Sequence, residues 1–206
     1  MKRVSNKVIN KTALRDPDRR IARAGLAGCG LLIAIGLGGC WQSSSGLIDE
    51  SKATQPFAEG TYVEHDWPDK NSSKQPGQPI MIKKSGSGYR AQWGSDGQAF
   101  DVIVVPFDSE RHDFYAYQAT QVACTGEACG EGDRHVYYGL LGMRGDGRIV
   151  RIEPEQADPE GKVAKAAGAS CDDSNMCEFT TRDALMAALA QIADTTPSLT
   201  YQPAKK

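Results

Sequence analysis

The chain has 206 residues, 40% of them hydrophobic and 24% charged, and its formal net charge of −2 conceals an asymmetry. Eight of the 24 Lys and Arg but only two of the 26 Asp and Glu lie in residues 1–39, so the rest of the chain holds 16 basic against 24 acidic groups, a net charge of −8. A surface of that sign repels nucleic acid phosphates and anionic lipid headgroups, which argues against nucleic acid as a partner.

Basic residues from Lys2 to Arg23 come first, then an uncharged apolar run over 24–39, then small residues ahead of Cys40. That order is the pattern of an export signal. The run is 16 residues long, short of the ~20 apolar residues of a membrane-spanning helix. Arg19-Arg20 is a twin pair, but Asp18 before it and Ile21-Ala22-Arg23 after it match the twin-arginine pattern poorly. Leu37-Gly38-Gly39-Cys40 resembles the lipobox of a bacterial lipoprotein signal peptide. The resemblance implies that residues 1–39 are removed, that the Cys40 thiol carries diacylglycerol, and that the new amine is acylated. Two or three acyl chains hold a protein firmly on a bilayer, each buried methylene contributing ~0.8 kcal/mol. Trp41 stands where lipoproteins of enterobacterial type carry an inner-membrane retention Asp. The resemblance therefore implies an outer-membrane location facing the periplasm.

Directly after Cys40, Trp41-Gln42-Ser43-Ser44-Ser45-Gly46 opens a polar stretch. Ser and Gly make a flexible chain that buries no core, so residues 40–55 are expected to be a tether and 56–206 a single globular domain. Strands are predicted over 61–64, 79–84, 89–93, 99–107, 113–122, 135–144 and 148–153. The Gly-bearing turns Ser85-Gly86-Ser87-Gly88, Ser95-Asp96-Gly97 and Gly145-Asp146-Gly147 separate several of them. Connections this short make neighbouring strands antiparallel. Val102-Ile103-Val104-Val105 is apolar on consecutive positions, the mark of a strand covered on both faces. The cover is expected from a last helix in which Leu185, Ala188, Leu189 and Ile192 form one stripe, starting at Thr180 with Asp183 three residues on. A shorter helix is expected over 159–167, ended by Gly168. The predicted fold is α+β: an antiparallel meander of six or seven strands, open or closed into part of a barrel, packed by a C-terminal amphipathic helix.

Four cysteines remain beyond Cys29 and Cys40. In an oxidising compartment they read as two disulfides, and short separations favour Cys124 with Cys129 and Cys171 with Cys177 among the three pairings four cysteines allow. The alternative, a metal site, needs thiolates and usually tighter spacing. His65, His112 and His135 each fall near a predicted strand end beside an acidic residue, so they are surface histidines or ligands converging on one rim. Lys83-Lys84-Ser85-Gly86-Ser87-Gly88 lacks the glycine spacing and following helix of a phosphate loop. Tyr115 and Tyr117 share a strand face, and Tyr137-Tyr138 lies in the strand expected beside it. Such a cluster suits sheet packing, a half-open ligand pocket or a protein-binding patch.

No catalytic or cofactor motif is present, including Gly-x-Ser-x-Gly, His-Glu-x-x-His and the Walker loop. The favoured reading is a non-enzymatic envelope lipoprotein, a binding or structural module without cofactor or metal, whose partners are envelope proteins, peptidoglycan or a small ligand. A calycin-like barrel holding a ligand inside is one form of it. The other class is a periplasmic hydrolase whose catalytic residues come from distant strands.

Overall fold

The computed structural model describes residues 41–66, 79–93, 98–107, 113–123 and 136–204. All seven predicted strands are present as β2 (Gly60–Asp66), β3 (Pro79–Ser85), β4 (Gly88–Trp93), β5 (Gln98–Pro106), β6 (Phe114–Ala123), β7 (Val136–Met143) and β8 (Ile149–Ile152). They pair in order, each antiparallel to the next. An eighth strand, β11 (Leu199–Pro203), which no sequence pattern predicts, pairs with both β8 and β2 and closes the meander into a barrel. Closure leaves none of the eight strands with a free edge along its whole length.

Turn chemistry sets the hairpin register. Ser85 pairs with Gly88, so Gly86 and Ser87 alone make the β3–β4 turn, with Gly86 at φ 56°. Positive φ at the first of two turn residues belongs to the hairpin turns whose twist matches the strands. Gly88 answers a different need: a Cβ there would lie 2.2 Å from the Val102 carbonyl oxygen on β5. Gly88→Ala is expected to force β4 from β5 and cost about 1–3 kcal/mol, measurable by urea denaturation.

Two cores lie on opposite faces of the wall. Inside the barrel are Phe57, Tyr62, Ile80, Tyr89, Trp93, Phe100, Val104, Tyr117 and Tyr201, among others. Outside β5 to β8, Val105, Ala116, Leu140, Val150 and Ile152 pack against α3 (Arg182–Ile192). Val102 and Val104 therefore face inward while Val105 faces α3, which is why the run in β5 is apolar throughout. The predicted stripe is the buried face of α3: Leu185, Ala188, Leu189 and Ile192 are all 0–1% exposed. The helix starts one residue later than expected, at Thr181, whose side chain accepts from Ala184 N–H at 3.3 Å. The shorter helix expected over 159–167 is α2 (Lys162–Ala166), which begins after the left-handed Gly161 at φ 62° and is followed by Gly168 at φ 99°; a further short helix, α1 (Pro154–Ala157), precedes it.

Residues 41–55 are not a tether. Trp41 is fully buried in β1 (Trp41–Ser43), which pairs with the start of β7 and, in parallel, with β10 (Cys177–Glu178). Tyr138, on the outer face of β7, accepts from Leu47 N–H at 3.0 Å and donates to the Ser45 carbonyl at 3.0 Å. Gln118 accepts from Ile48 N–H at 3.0 Å. Past a 3-10 turn (Glu50–Lys52), Thr54 N–H bonds Val104 O at 2.8 Å, and Phe57 enters the barrel core. The serines and Gly46 serve tight packing: a Cβ on Gly46 would meet the Gln118 side chain at 2.8 Å. The segment is a strap from the outer wall to one end of the barrel.

Cys171 and Cys177 form the expected disulfide, joining β9 (Ser170–Cys171) to β10. Cys124 and Cys129, the Ser95-Asp96-Gly97 turn, His112, His135 and Cys40 lie outside the described residues. No helix among the described residues is long and apolar enough to cross a membrane. On the outer face of the barrel wall Arg90 and Asp101 pair at 2.6 Å, with Lys83 exposed beside them.

Candidate ligand site inside the barrel

An eight-stranded barrel has an interior just wide enough for side chains to fill or for one small ligand. Here a cavity of about 60 Å³ remains, lined by apolar and aromatic side chains from the strands and, as the one cation among the described residues of the lining, by Arg151. The alternation of β8 places it there: Ile149 and Arg151 face inward, Val150 and Ile152 outward beneath α3.

Arg151 is 1% exposed. Its Nη1 donates to Tyr201 Oη at 3.1 Å, and Nη2 lies 3.1 Å from Glu153 Oε1. The guanidinium carbon stands 5.7 Å from the Tyr117 ring centroid, within cation–π range. Neither its Nε nor its Nη2 makes a hydrogen bond among the described residues, and the same holds for Tyr117 Oη and Trp93 Nε1, whose side chains also line the cavity. Burial alone would lower the Arg151 pKa, but Tyr117, Tyr201 and Glu153 around it raise it, so the guanidinium stays charged. Gly139, opposite Tyr117 in the β6–β7 ladder, leaves room for the phenol ring, which a Cβ would approach to 2.7 Å.

The tyrosine cluster divides by face. Tyr115, Tyr117 and Tyr137 belong to the inner core together with Tyr62, Tyr89 and Tyr201, whereas Tyr138 holds the strap outside. Six of the seven tyrosines of the chain thus line or pack the barrel interior. Phe57 packs against Tyr89 and Tyr115, with ring centroids 5.9 and 5.6 Å away, and its amide donates to Tyr89 Oη at 2.7 Å.

Burial pushes the Tyr89 hydroxyl up to about 12, and raises those of Tyr117 and Tyr201 as well. A group with a raised folded-state pKa binds its proton more tightly in the folded protein. The stability this gives is complete below the ordinary tyrosine value near 10 and is lost as pH climbs from about 10 toward 12. Absorbance at 295 nm and circular dichroism, followed together, are expected to show most phenols ionising only as the fold melts. Early ionisation of the inner tyrosines in the folded protein would contradict their burial.

The residues singled out by the sequence patterns fare unevenly in this geometry. His65 sits in β2 opposite Thr200, on the face turned away from the cavity, and among the described residues no histidine, serine or cysteine lines the cavity. Among the described residues no three His, Cys, Asp or Glu side chains gather where they could hold a metal ion. Arg151, Glu153 and Trp93, the polar groups of the site, carry no motif; the one available signal is an Arg placed two residues from an Ile in a strand whose other face is apolar. Compared with protein-family models, with characterised proteins and with solved structures, the chain matches none, so the reading of this site rests on its own residues.

Proposed function

We propose that the chain is a small-ligand-binding barrel held at the bacterial cell envelope by a lipid on Cys40, a calycin-like module rather than an enzyme. The observation that carries the binding reading is the interior cavity of about 60 Å³, walled by apolar and aromatic side chains together with Arg151. Mostly apolar walls with a few convergent polar groups are the usual make-up of a small-molecule site. The anchor reading is supported by the lipobox of residues 37–40. Because Trp41 is already buried in the fold, a lipid on Cys40 would set the barrel against the membrane surface, with no stand-off chain between them.

Two measurements test the two halves. Intact mass of the membrane fraction is expected to show a chain beginning at Cys40 and carrying acyl groups; an unprocessed chain, or no change on Cys40→Ala, would remove the anchor. Native mass spectrometry of the gently purified protein is expected to show a small adduct that solvent extraction releases. A protein that takes up no small molecule from a broad library of apolar compounds would end the binding reading.

A further inference from the structure

We infer that the part of the ligand that enters the barrel is the end of a hydrocarbon chain, about four to six carbons deep, and that Phe57 of the strap sets that depth. This deepens the binding reading and rests on it.

The polar side chains among the described lining residues are Tyr89, Trp93, Tyr117, Arg151 and Tyr201, and none of them offers a polar atom to an occupant. Tyr89 Oη is engaged by the Phe57 backbone, accepting from its N–H at 2.7 Å and donating to its carbonyl at 3.1 Å. Tyr201 Oη accepts from Arg151 Nη1 at 3.1 Å. Trp93 Nε1, Tyr117 Oη and the Nε and Nη2 atoms of Arg151 have almost no accessible surface. Ring faces and the arginine stem therefore present carbon, and the wall an occupant meets is almost wholly apolar. A polar group carried inside would give up its water and gain no partner, a penalty that a hydrocarbon does not meet. Size narrows the choice further. At the ~10–15 Å³ that one water molecule needs, about 60 Å³ admits on the order of four to six heavy atoms, well below the ~150 Å³ cavity that takes up benzene. A slim alkyl end fits that space, and because the cavity is partly open the rest of the chain and its head group can lie outside.

Phe57 closes the other limit. Among the described lining residues it alone stands on no strand. Its ring packs against Tyr89 and Tyr115, at the barrel end where β4 and β6 begin. The strap is fastened there by groups other than that ring. Thr54 N–H bonds Val104 O, Gln55 Nε2 donates to the Gly86 and Gly88 carbonyls at 3.1 and 2.6 Å, and Tyr62 Oη donates to the Ala58 carbonyl at 2.8 Å. Trimming the ring therefore lengthens the cavity without releasing the strap or breaking a strand pairing.

The test uses the ¹⁵N-labelled full chain with Cys40→Ala, so that no acyl group of its own competes, and straight-chain alcohols from propanol to decanol, observed at the Trp93 indole N–H. Affinity is expected to rise about fourfold with each methylene taken in and to level off at about six carbons. 1,8-Octanediol, which has no apolar end, is expected to bind at least about tenfold more weakly than 1-octanol, the effect of burying one unpaired hydroxyl. Phe57→Ala is expected to move the levelling point to longer alcohols and to tighten decanol relative to hexanol by at least about tenfold, which two further buried methylenes supply. Phe57→Leu is expected to move it less, and reads the same trend should the alanine variant fail to fold. Dioleoylphosphatidylcholine vesicles then tell the source of the chain: the same Trp93 shift supports a bilayer lipid, and its absence beside alcohol binding supports a free amphiphile. A diol that binds as tightly as octanol would overturn the apolar-end inference and leave the binding reading standing. A levelling point that both Phe57 variants leave in place would overturn the role of Phe57. No response of Trp93 to any alcohol would remove the binding reading together with this one.

Discussion

Arg151→Met is expected to destabilise the protein by about 3–5 kcal/mol, the effect of stripping one partner from a buried ion pair. Methionine matches the arginine stem in apolar bulk, so little packing is lost. The cost comes from Glu153, whose side chain is 9% exposed and loses the guanidinium that stands 3.1 Å from its Oε1. Tyr201 Oη would also lose the Nη1 donor at 3.1 Å. Adding Glu153→Gln to Arg151→Met is therefore expected to recover at least half of the loss, since a neutral amide beside Gln156 carries no uncompensated charge. Urea denaturation of the two single variants and the double variant forms the cycle. Additive losses would show that the pair is not coupled and that Arg151 stabilises through packing alone.

The same residue shows where sequence patterning succeeds and where it turns over. All seven strands of the meander are legible because glycine turns and short connections punctuate them and because most alternate. The alternation does not say which face is inside. In β8 the apolar face, Val150 and Ile152, reads as the core and the face of Arg151 reads as solvent, yet α3 takes the apolar face from outside and the barrel encloses the polar one. Closure depends on β11, five residues after Pro197 whose pairing with β2 and β8 is decided by tertiary geometry alone. Composition misleads most at residues 41–55. Their serines and Gly46 are small so that the strap can lie close against Tyr138 and Gln118, while Trp41, Ile48 and Phe57 carry the apolar signal one residue at a time, too sparsely for any periodicity. Half of the disulfide reading is visible in the Cys171–Cys177 bond, a contact that local spacing alone suggests.

Trp41→Ala is expected to cost about 3–5 kcal/mol, the effect of removing a fully buried aromatic side chain from a core that cannot collapse around the gap. The indole is 0% exposed and packs 5.3 Å from the Phe179 ring, in the layer that joins β10 to the barrel wall. Its backbone neighbours exchange strand pairing with β7 and β10, so losing the side chain loosens the strap at its origin. A free tether predicts the opposite, a change near zero at an exposed residue. The two outcomes differ by several kcal/mol, and one denaturation curve separates them. The result also bears on the anchor. If Trp41 holds the strap in place, a flexible Gly-Ser linker inserted between Cys40 and Trp41 will leave the fold intact and lengthen the distance between barrel and bilayer, measurable by fluorescence transfer to a membrane dye. If Trp41 is dispensable, the strap already supplies that slack and the same insertion will move the barrel little.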